Sequence, residues 1–573
     1  GGSIPLEAQR LGLSSNASDL NPLSVLLNKM LLDVPARFAG IEPISPASAS
    51  TQSFWQGSDG LAADIRTYGQ IFRDTAEREL RSLYPLVSDD HGSNLTPIAW
   101  IWARTVTSPN PANPIETPLV RSWWLSKRKN NEAWISTAVQ NGRVQFRVVN
   151  SAEGPLVDGT ISRKGGQVVG DGTPLTLNYV REQGRAGKMG VQLMAIVAEG
   201  PSGRIYLSPS KEQVEAAQVS RPDGLPEGLI PKNPRDFKTP NYGLTQWTDL
   251  FTNRQLTTIS RLIDLVGEIR EIVFQDALSA GLPEGLGLEA GGEGAHAYAD
   301  AIAIYLSLSV SRLTDYSSNV CTWNSAGEKM RNVFARQAIP MVWDFAEVNP
   351  FSNSSGNLRG QIEWVAKAVQ NAPTKSQGTV TQADAANRDY RGFVISTDPP
   401  YYDNIGYADL SDYFYVWLRK SLVDVIPNSL GTILTPKAEE LVADPVRHGS
   451  KAEAEKFFVD GFNSVFTRIR QGADHRAPIT VYYAYKQQEE DLSGTSSTGW
   501  HTLLSGLIQA GWEITATWPV RSELANRMIG SGTNVLASSI VLACRPREEN
   551  AEATTRRGFL NALKAELPNA LRE

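Results

Sequence analysis

Apolar residues three and four positions apart predict a long amphipathic helix over residues 59–83, with Leu61, Ile65, Tyr68, Phe72, Ala76 and Leu80 on one face. Similar spacing predicts helices over 6–11, 22–32, 250–274, 295–314 and 326–345, and residues 17–20 read as a strand end. Residues 41–57, rich in Ser, Pro and Ala, read as a connection. From about residue 98 to 209 the pattern changes. Short β-type runs at 144–149, 160–162, 191–197 and 204–207 alternate with Gly, Pro and Asn turns, which predicts a β-rich module, and residues 222–240 read as a Pro/Gly-rich linker. In the last third, strands at 392–396, 479–485, 512–518 and 535–543 alternate with helices at 410–422, 451–471 and 500–510, and a helix over 559–571 follows. Alternation of this kind predicts an α/β sheet.

The 573 residues are 41% apolar and 20% charged, an ordinary globular balance for a chain of several domains. No apolar run reaches the roughly 18 residues of a membrane span; the runs at 301–310 and 538–544 read as buried core. Two distant cysteines, Cys321 and Cys544, support neither a disulfide framework nor a thiolate metal site and read as buried thiols. No secretory signal is visible, so a cytoplasmic location and no membrane partner are expected. The opening Gly1-Gly2-Ser3, without Met, reads as the start of a processed chain or a fragment. Net charge is −6, yet residues 100–240 hold 18 Lys/Arg against 12 Asp/Glu. A basic module in an acidic chain fits an enzyme that holds an anionic substrate with one region, while a solvated charged face remains open.

The strongest chemical signal is Asp398-Pro399-Pro400-Tyr401, directly after the apolar run at 392–396. Chance gives such a tetrapeptide in roughly one chain in several hundred of this length. The carboxyl end of a strand is where open α/β sheets place ligands. The exocyclic amino group of adenine or cytosine is a poor nucleophile, because its lone pair is delocalised into the ring. Two acceptors, here the Asp398 carboxylate and the Pro399 carbonyl, can hold both N–H bonds and aim that lone pair. Two prolines stiffen the loop, so the acceptors are set in advance. A base must leave its stack to reach such a pocket, and Tyr401 offers a ring to receive it. A second signal is Gly1-Gly2 followed by a helical pattern and the strand-end acid in Asp19-Leu20-Asn21-Pro22, the form of a loop and acid that hold a nucleotide-like ligand.

With these residues on the page, the chain resembles the adenine-specific DNA methylases that carry a zinc ribbon, a group associated with phage defence. The resemblance spans nearly the whole chain and rests on residues 1–8 and 19–22, Ser122-Trp123-Trp124-Leu125, and residues 184–190, 337–347, 398–417 and 521–542. It implies an α/β, Rossmann-like S-adenosylmethionine-dependent methyltransferase fold with a large inserted β-rich plus helical region. The implied organisation is residues 1–40 as the first part of the methyltransferase domain, 41–97 as a helical connection and 98–221 as a degenerate zinc-ribbon or DNA-recognition insert. Residues 222–375 form a linker and helical region, and 376–573 the catalytic part. The cofactor it implies is S-adenosylmethionine, held by Gly1, Gly2, Asp19, Asn21 and, from residues 381–385, Asp384; a polar turn is the competing reading of Asp384. Asp398, Pro399, Pro400 and Tyr401 match the catalytic motif, and Tyr402, Asp403, Asn404 and Tyr407 follow it near base or cofactor. The implied partners are DNA and other proteins of a defence system. In the insert, Trp123, Trp124, Lys127, Arg128, Arg185 and Lys188, with Lys129 and Arg181 beside them, interleave aromatic rings and cations and are candidate DNA contacts; a buried Trp pair beside a solvated basic turn is the alternative.

Two departures from the family pattern matter. The family's cofactor loop begins with an Asp-Pro-Phe-type segment on a first strand, so this chain is expected to lack part of the cofactor pocket. Where family members have cysteine pairs, this sequence has Ser108-Pro109-Asn110-Pro111 and Gly170-Asp171-Gly172, with only His91 nearby, so no zinc is expected. The acceptor implied is N6 of adenine in DNA. Methylation of RNA or protein, and a catalytically impaired DNA-binding component, remain as alternatives; relatives acting on protein glutamine or RNA guanine tend to carry Asn in place of the first Asp.

Overall fold

The computed structural model describes residues 2–48, 54–89, 91–201, 203–402, 405–484, 498–520, 539–551 and 554–570. The chain forms a mixed α/β protein divided into two units, Gly1–Gln382 with Gly406–Glu440, and Ala383–Ile405 with Leu441–Glu573.

In the first unit the helix Asp59–Leu80 buries the stripe its spacing predicts, from Leu61 to Leu80. It packs with Asn253–Ser279, Ala295–Thr314 and Leu358–Gln370. Thr252 and Gln255 form a reciprocal capping box at the start of Asn253–Ser279, which is why that helix begins three residues later than its apolar pattern suggests. Helix Ala295–Thr314 is buried nearly all round, as expected of the apolar run within it. Two tyrosines in this core are matched to carboxylates: Tyr68 Oη donates to Asp276 Oδ2 at 2.8 Å, and Tyr298 Oη to Asp64 Oδ2 at 2.7 Å. Asp64 also accepts from the Ile44 and Ser45 amides at 2.8 and 3.1 Å, tying the connecting segment to the helix. Burial pushes the Asp64 carboxyl up to about 6, against the pull of its hydrogen bonds.

An eight-stranded sheet runs in the order Gly203–Leu207, Gly190–Gly200, Pro97–Thr107, Glu116–Leu119, Arg143–Val149, Ala133–Gln140, Trp124–Ser126, with Asp344–Val348 pairing Pro97–Thr107 as well. Pro97–Thr107 is buried along all but its last residue, and its sequence is apolar without alternation from Pro97 to Ala103. Helix Leu177–Arg185, capped by Thr176 on the Tyr179 amide, lies within the stretch expected to be β-rich, where no helix was predicted. Residues 326–345, expected as a helix, are instead the hairpin Thr322–Asn324 with Lys329–Arg331, a loop, and the start of strand Asp344–Val348. Asn324 Oδ1 accepts from the Ala326 and Gly327 amides at 3.2 Å each, Glu328 adopts φ 47°, and Phe345 pairs with Trp102 across the sheet. The sheet partner overrides a helical spacing that is only local. Glu347 on this strand and Arg254 at the start of its helix make a buried two-pronged ion pair of 3.0 and 2.8 Å. Arg254 also lies over the Trp100 ring at 4.2 Å.

The parallel pair Asn16–Asp19 and Thr379–Gln382 leads into helix Pro22–Leu32, and Tyr407–Leu422 completes the unit. In the second unit four strands run in the order Ser396–Thr397, Ile479–Ala484, Ser539–Pro546, Trp512–Val520; the first pairing is parallel and the others antiparallel. Helices Lys451–Gly472 and Thr498–Gln509 cover it through Phe458, Phe462, Leu503 and Leu507. The strand expected over 392–396 is shortened to Ser396–Thr397, because Gly392 turns at φ 76° and the Phe393 amide bonds back to the Tyr390 carbonyl. Residues 535–538, expected to begin a strand, and the block 521–538 lie outside the described residues. Cys321 and Cys544 are buried free thiols; burial pushes Cys544 up to about 12. Among the described residues no helix is long and apolar enough to cross a membrane.

Candidate functional site

Ser396–Thr397 pairs in parallel with Thr480 and Val481, and Thr480 Oγ1 donates to Ser396 Oγ at 2.7 Å. Asp398 follows at the carboxyl end of this strand with its side chain exposed, and Pro399 and Pro400 are half-buried. Tyr401 turns back over the loop: its hydroxyl donates to Asp398 Oδ1 at 2.5 Å, and its ring meets Tyr483 edge-on, 5.3 Å between centroids. Trp500 lies 5.7 Å from Tyr483, so three aromatic rings run from the carboxylate into the core. Tyr402 holds the loop's far end. It adopts a left-handed φ of 52°, its amide donates to the Pro400 carbonyl at 3.2 Å, its carbonyl accepts from the Ala443 amide at 3.0 Å, and its ring packs on Phe458. A non-glycine residue in that region costs of order 1–3 kcal/mol, which the buried ring and its contacts offset. Gly499 allows this packing, since a Cβ there would stand 2.9 Å from Tyr483 Oη and 3.0 Å from Tyr402 Cβ. An exposed carboxylate on a stiff loop beside packed aromatic rings can accept hydrogen bonds from a flat heteroaromatic amine.

Tyr483, Trp500 and Gly499 escaped the sequence reading. The only signal was a Tyr pair on a predicted strand and a Gly-Trp step at a helix start. Asp403 and Asn404 lie outside the described residues. Asp384, in the same unit as Asp398, accepts through Oδ1 from the Ala386 amide at 2.9 Å and through Oδ2 from Asn387 Nδ2 at 2.7 Å. Both its oxygens serve its own turn. Tyr407 opens helix Tyr407–Leu422 in the first unit.

The remaining cofactor candidates belong to the first unit. Gly1 lies outside the described residues. Gly2 starts helix Ser3–Arg10 at φ 98°, and a Cβ there would come within 2.8 Å of Asn28 Oδ1. Asn28 Oδ1 is itself buried and has no hydrogen-bond partner among the described residues. Asp19 ends its parallel strand and accepts from the Asn21 amide at 2.8 Å; burial raises its carboxyl above the ordinary range, against the pull of Asn21 and Ser24. Both ends of the Asn21 amide are committed within the fold: Oδ1 caps the Leu23 amide at 3.0 Å and Nδ2 donates to Ser411 Oγ at 2.8 Å. A left-handed glycine, an orphaned amide oxygen and a strand-end acid fit a nucleoside-bearing cofactor; Asn21 fits the role of helix cap.

Of the candidate DNA contacts, Trp123 is 3% exposed and packs near Phe146, so it presents no face to a base. Trp124 is half-buried, with Lys127 Nζ 5.5 Å from its ring. Arg128 pairs with Glu328 at 3.1 Å. Asn131, Tyr206 and Ser126 also donate to Glu328; burial alone would raise this carboxyl, and the four donors together hold it below its usual range. Arg185 and Lys188 are exposed, and Arg185 Nε reaches the Arg181 carbonyl at 3.4 Å.

The two loops that stand where the family has cysteine pairs do meet: Asn113 Nδ2 donates to Asp171 Oδ2 at 3.0 Å. Among the described residues no group of three or more His, Cys, Asp or Glu could hold a metal ion. Comparison with protein-family models, curated proteins and solved structures gave no match.

Proposed function

We propose that this chain is an S-adenosylmethionine-dependent DNA methyltransferase acting on an exocyclic amino group, N6 of adenine. The carrying observation is the Asp398–Tyr401 loop, an exposed carboxylate at the end of a parallel strand with an aromatic ring folded over it. A Rossmann-like sheet belongs to the same reading. Its support is two parallel pairings whose strands run out into acids: Asp19 ends one strand, Asp384 follows Thr379–Gln382, and Asp398 follows Ser396–Thr397.

In this mechanism the target base leaves its stack and lies on Tyr401, a contact worth about 1–3 kcal/mol. Asp398 accepts one N–H of the base and the Pro399 carbonyl the other. The nitrogen lone pair is thereby turned out of conjugation towards the methyl donor. Bound S-adenosylmethionine would supply an electrophilic methyl on a sulfonium that leaves as a neutral thioether. Gly2 would let the backbone approach that cofactor, and Asp19 would accept from its ribose hydroxyls. Once nitrogen has gained the methyl carbon, its surplus proton leaves along the hydrogen bond to Asp398 and passes to water. The hydroxyl of Tyr401 must yield Asp398 Oδ1, or the amine must take the other oxygen.

The test is methyl transfer from labelled S-adenosylmethionine to duplex DNA, with the product base identified and Asp398→Ala as control. N6-methyladenine that disappears in the control is the expected result. Label on RNA or protein alone would move the substrate class. DNA binding without any transfer would leave a binding component of a defence system as the better reading.

A further inference from the structure

At one end of the large sheet in the first unit is a polar cleft of about 610 Å³, lined by Thr105, Thr107, Asn113, Glu116, Arg143 and Lys188 among others. Its walls are set by turns. Arg143 follows the Asn141-Gly142 turn of the hairpin Ala133–Gln140 with Arg143–Val149; both turn residues have positive φ, 50° and 73°, as a two-residue hairpin turn requires. The Gly142 carbonyl accepts from the Glu116 amide at 2.9 Å, which fixes that turn to the neighbouring strand. Lys188 follows Gly187, another left-handed glycine, and leads into strand Gly190–Gly200. Gly190 keeps the floor open, because a Cβ there would lie 2.6 Å from Thr105 Oγ1 and 3.1 Å from Glu116 Oε1.

The charges in the cleft are not balanced. Glu116 is held at the wall by Thr105, whose hydroxyl donates to Oε1 at 2.7 Å, and it stands 3.7 Å from Arg143. Lys188 is exposed and has no ion pair among the described residues. Two cations on braced turns, with a single acid already engaged, therefore face a space of nucleotide size. The cleft also lies in the stretch where basic residues exceed acidic ones, 18 to 12, in a chain of net charge −6.

We infer that this cleft is a binding site for the phosphodiester backbone of DNA, with Arg143 and Lys188 as the phosphate contacts. The inference rests on the proposed action on DNA, and it places backbone contact away from the Trp123–Arg128 stretch, where the rings and Arg128 are engaged within the fold. Thr107 and Asn113 add uncharged polar groups beside the two cations, which suits contact to phosphate and sugar without sequence choice.

The experiment measures binding of a labelled 20-base-pair duplex by fluorescence anisotropy over a range of salt, for the whole chain and for Arg143→Ala/Lys188→Ala. Losing two phosphate contacts should weaken binding roughly thirty-fold at 0.15 M salt and lower the salt slope by about 2. Lys211→Ala, a surface lysine outside the cleft, should change little. Glu116→Gln keeps the acceptor for Thr105 and removes the negative charge, so it should tighten DNA binding several-fold. Unchanged affinity and slope in the double variant, weaker binding in Glu116→Gln, or no DNA binding by the unaltered chain each overturn the inference. Methyl transfer assayed in parallel separates the two readings. Cleft-dependent DNA binding without transfer keeps this site and sinks the methyltransferase. Transfer with binding indifferent to Arg143 and Lys188 does the reverse.

Discussion

Tyr401 donates its hydroxyl to Asp398 Oδ1 at 2.5 Å, so the ring proposed to receive the base also occupies one of the two oxygens proposed to hold its amine. The two roles come apart by substitution. Tyr401→Phe keeps the ring and frees the oxygen, and methyl transfer should stay within a few-fold of the unaltered chain. Tyr401→Ala loses the stacking surface, and DNA affinity in the catalytic complex should fall roughly 5- to 150-fold. Steady-state kinetics on both variants decide it; a Phe variant as impaired as the Ala variant would make the hydroxyl, not the ring, the working part.

Gly499 has no room for a methyl group between Tyr483 and Tyr402. Gly499→Ala should push both tyrosines, cost about 1–3 kcal/mol and loosen the Asp398 loop through Tyr402. Denaturant unfolding reports the cost, and methyl transfer reports the loop. A variant of unaltered stability and rate would show that the loop is not braced there.

The Asp64 carboxyl, raised from 3.8 to about 6, makes stability depend on pH. Its native form holds a proton more readily than its unfolded form. The stability it contributes is therefore fully present below pH 3.8 and is lost as pH rises through about 6, a change of about 3 kcal/mol. The difference in unfolding free energy between the unaltered chain and Asp64→Asn should narrow over that window and then stay level. Measurements at pH 4.5 and 7 that give one constant difference would contradict it.

Arg254 and Glu347 are 0% and 1% exposed, so neither charge can turn to water if its partner is removed. Glu347→Ala should cost about 3–5 kcal/mol, while replacing both residues with apolar ones of similar volume should cost far less. Chemical denaturation of the single and double variants checks this. Equal losses in the two would mean that packing around Trp100 matters more than the charge.

How much of this was legible in the sequence follows the distance between interacting residues. Helix Ala295–Thr314 was read to its exact ends and Asp59–Leu80 nearly so, because their apolar faces repeat within a few residues. Helix Leu177–Arg185 was missed because its signal, Thr176 as cap, is a single residue inside a β-rich stretch. The Asp398 loop was legible as chemistry, but Tyr483 and Trp500 beside it come from later elements and share no spacing with it. The shell around Glu328 draws on Ser126, Arg128, Asn131 and Tyr206, which no local pattern connects. Trp123 illustrates the converse: its basic neighbours left an exposed ring and a buried one both open, and only the sheet decides that it faces inward.

Strand Asp344–Val348 pairs with Ala99–Ala103, so the most apolar strand of the large sheet waits for a partner made some 240 residues later. At roughly 5–20 residues per second of synthesis, that is a delay of about 12–50 s. During it residues Ala99–Ala103 lack the strand that covers one of their edges in the finished fold, while Arg104–Thr107 already have Glu116–Leu119. A chain built this way depends on how fast it is made: slower elongation lengthens the interval in which that edge can pair with another copy, and a chaperone that shields it should raise the yield of folded protein.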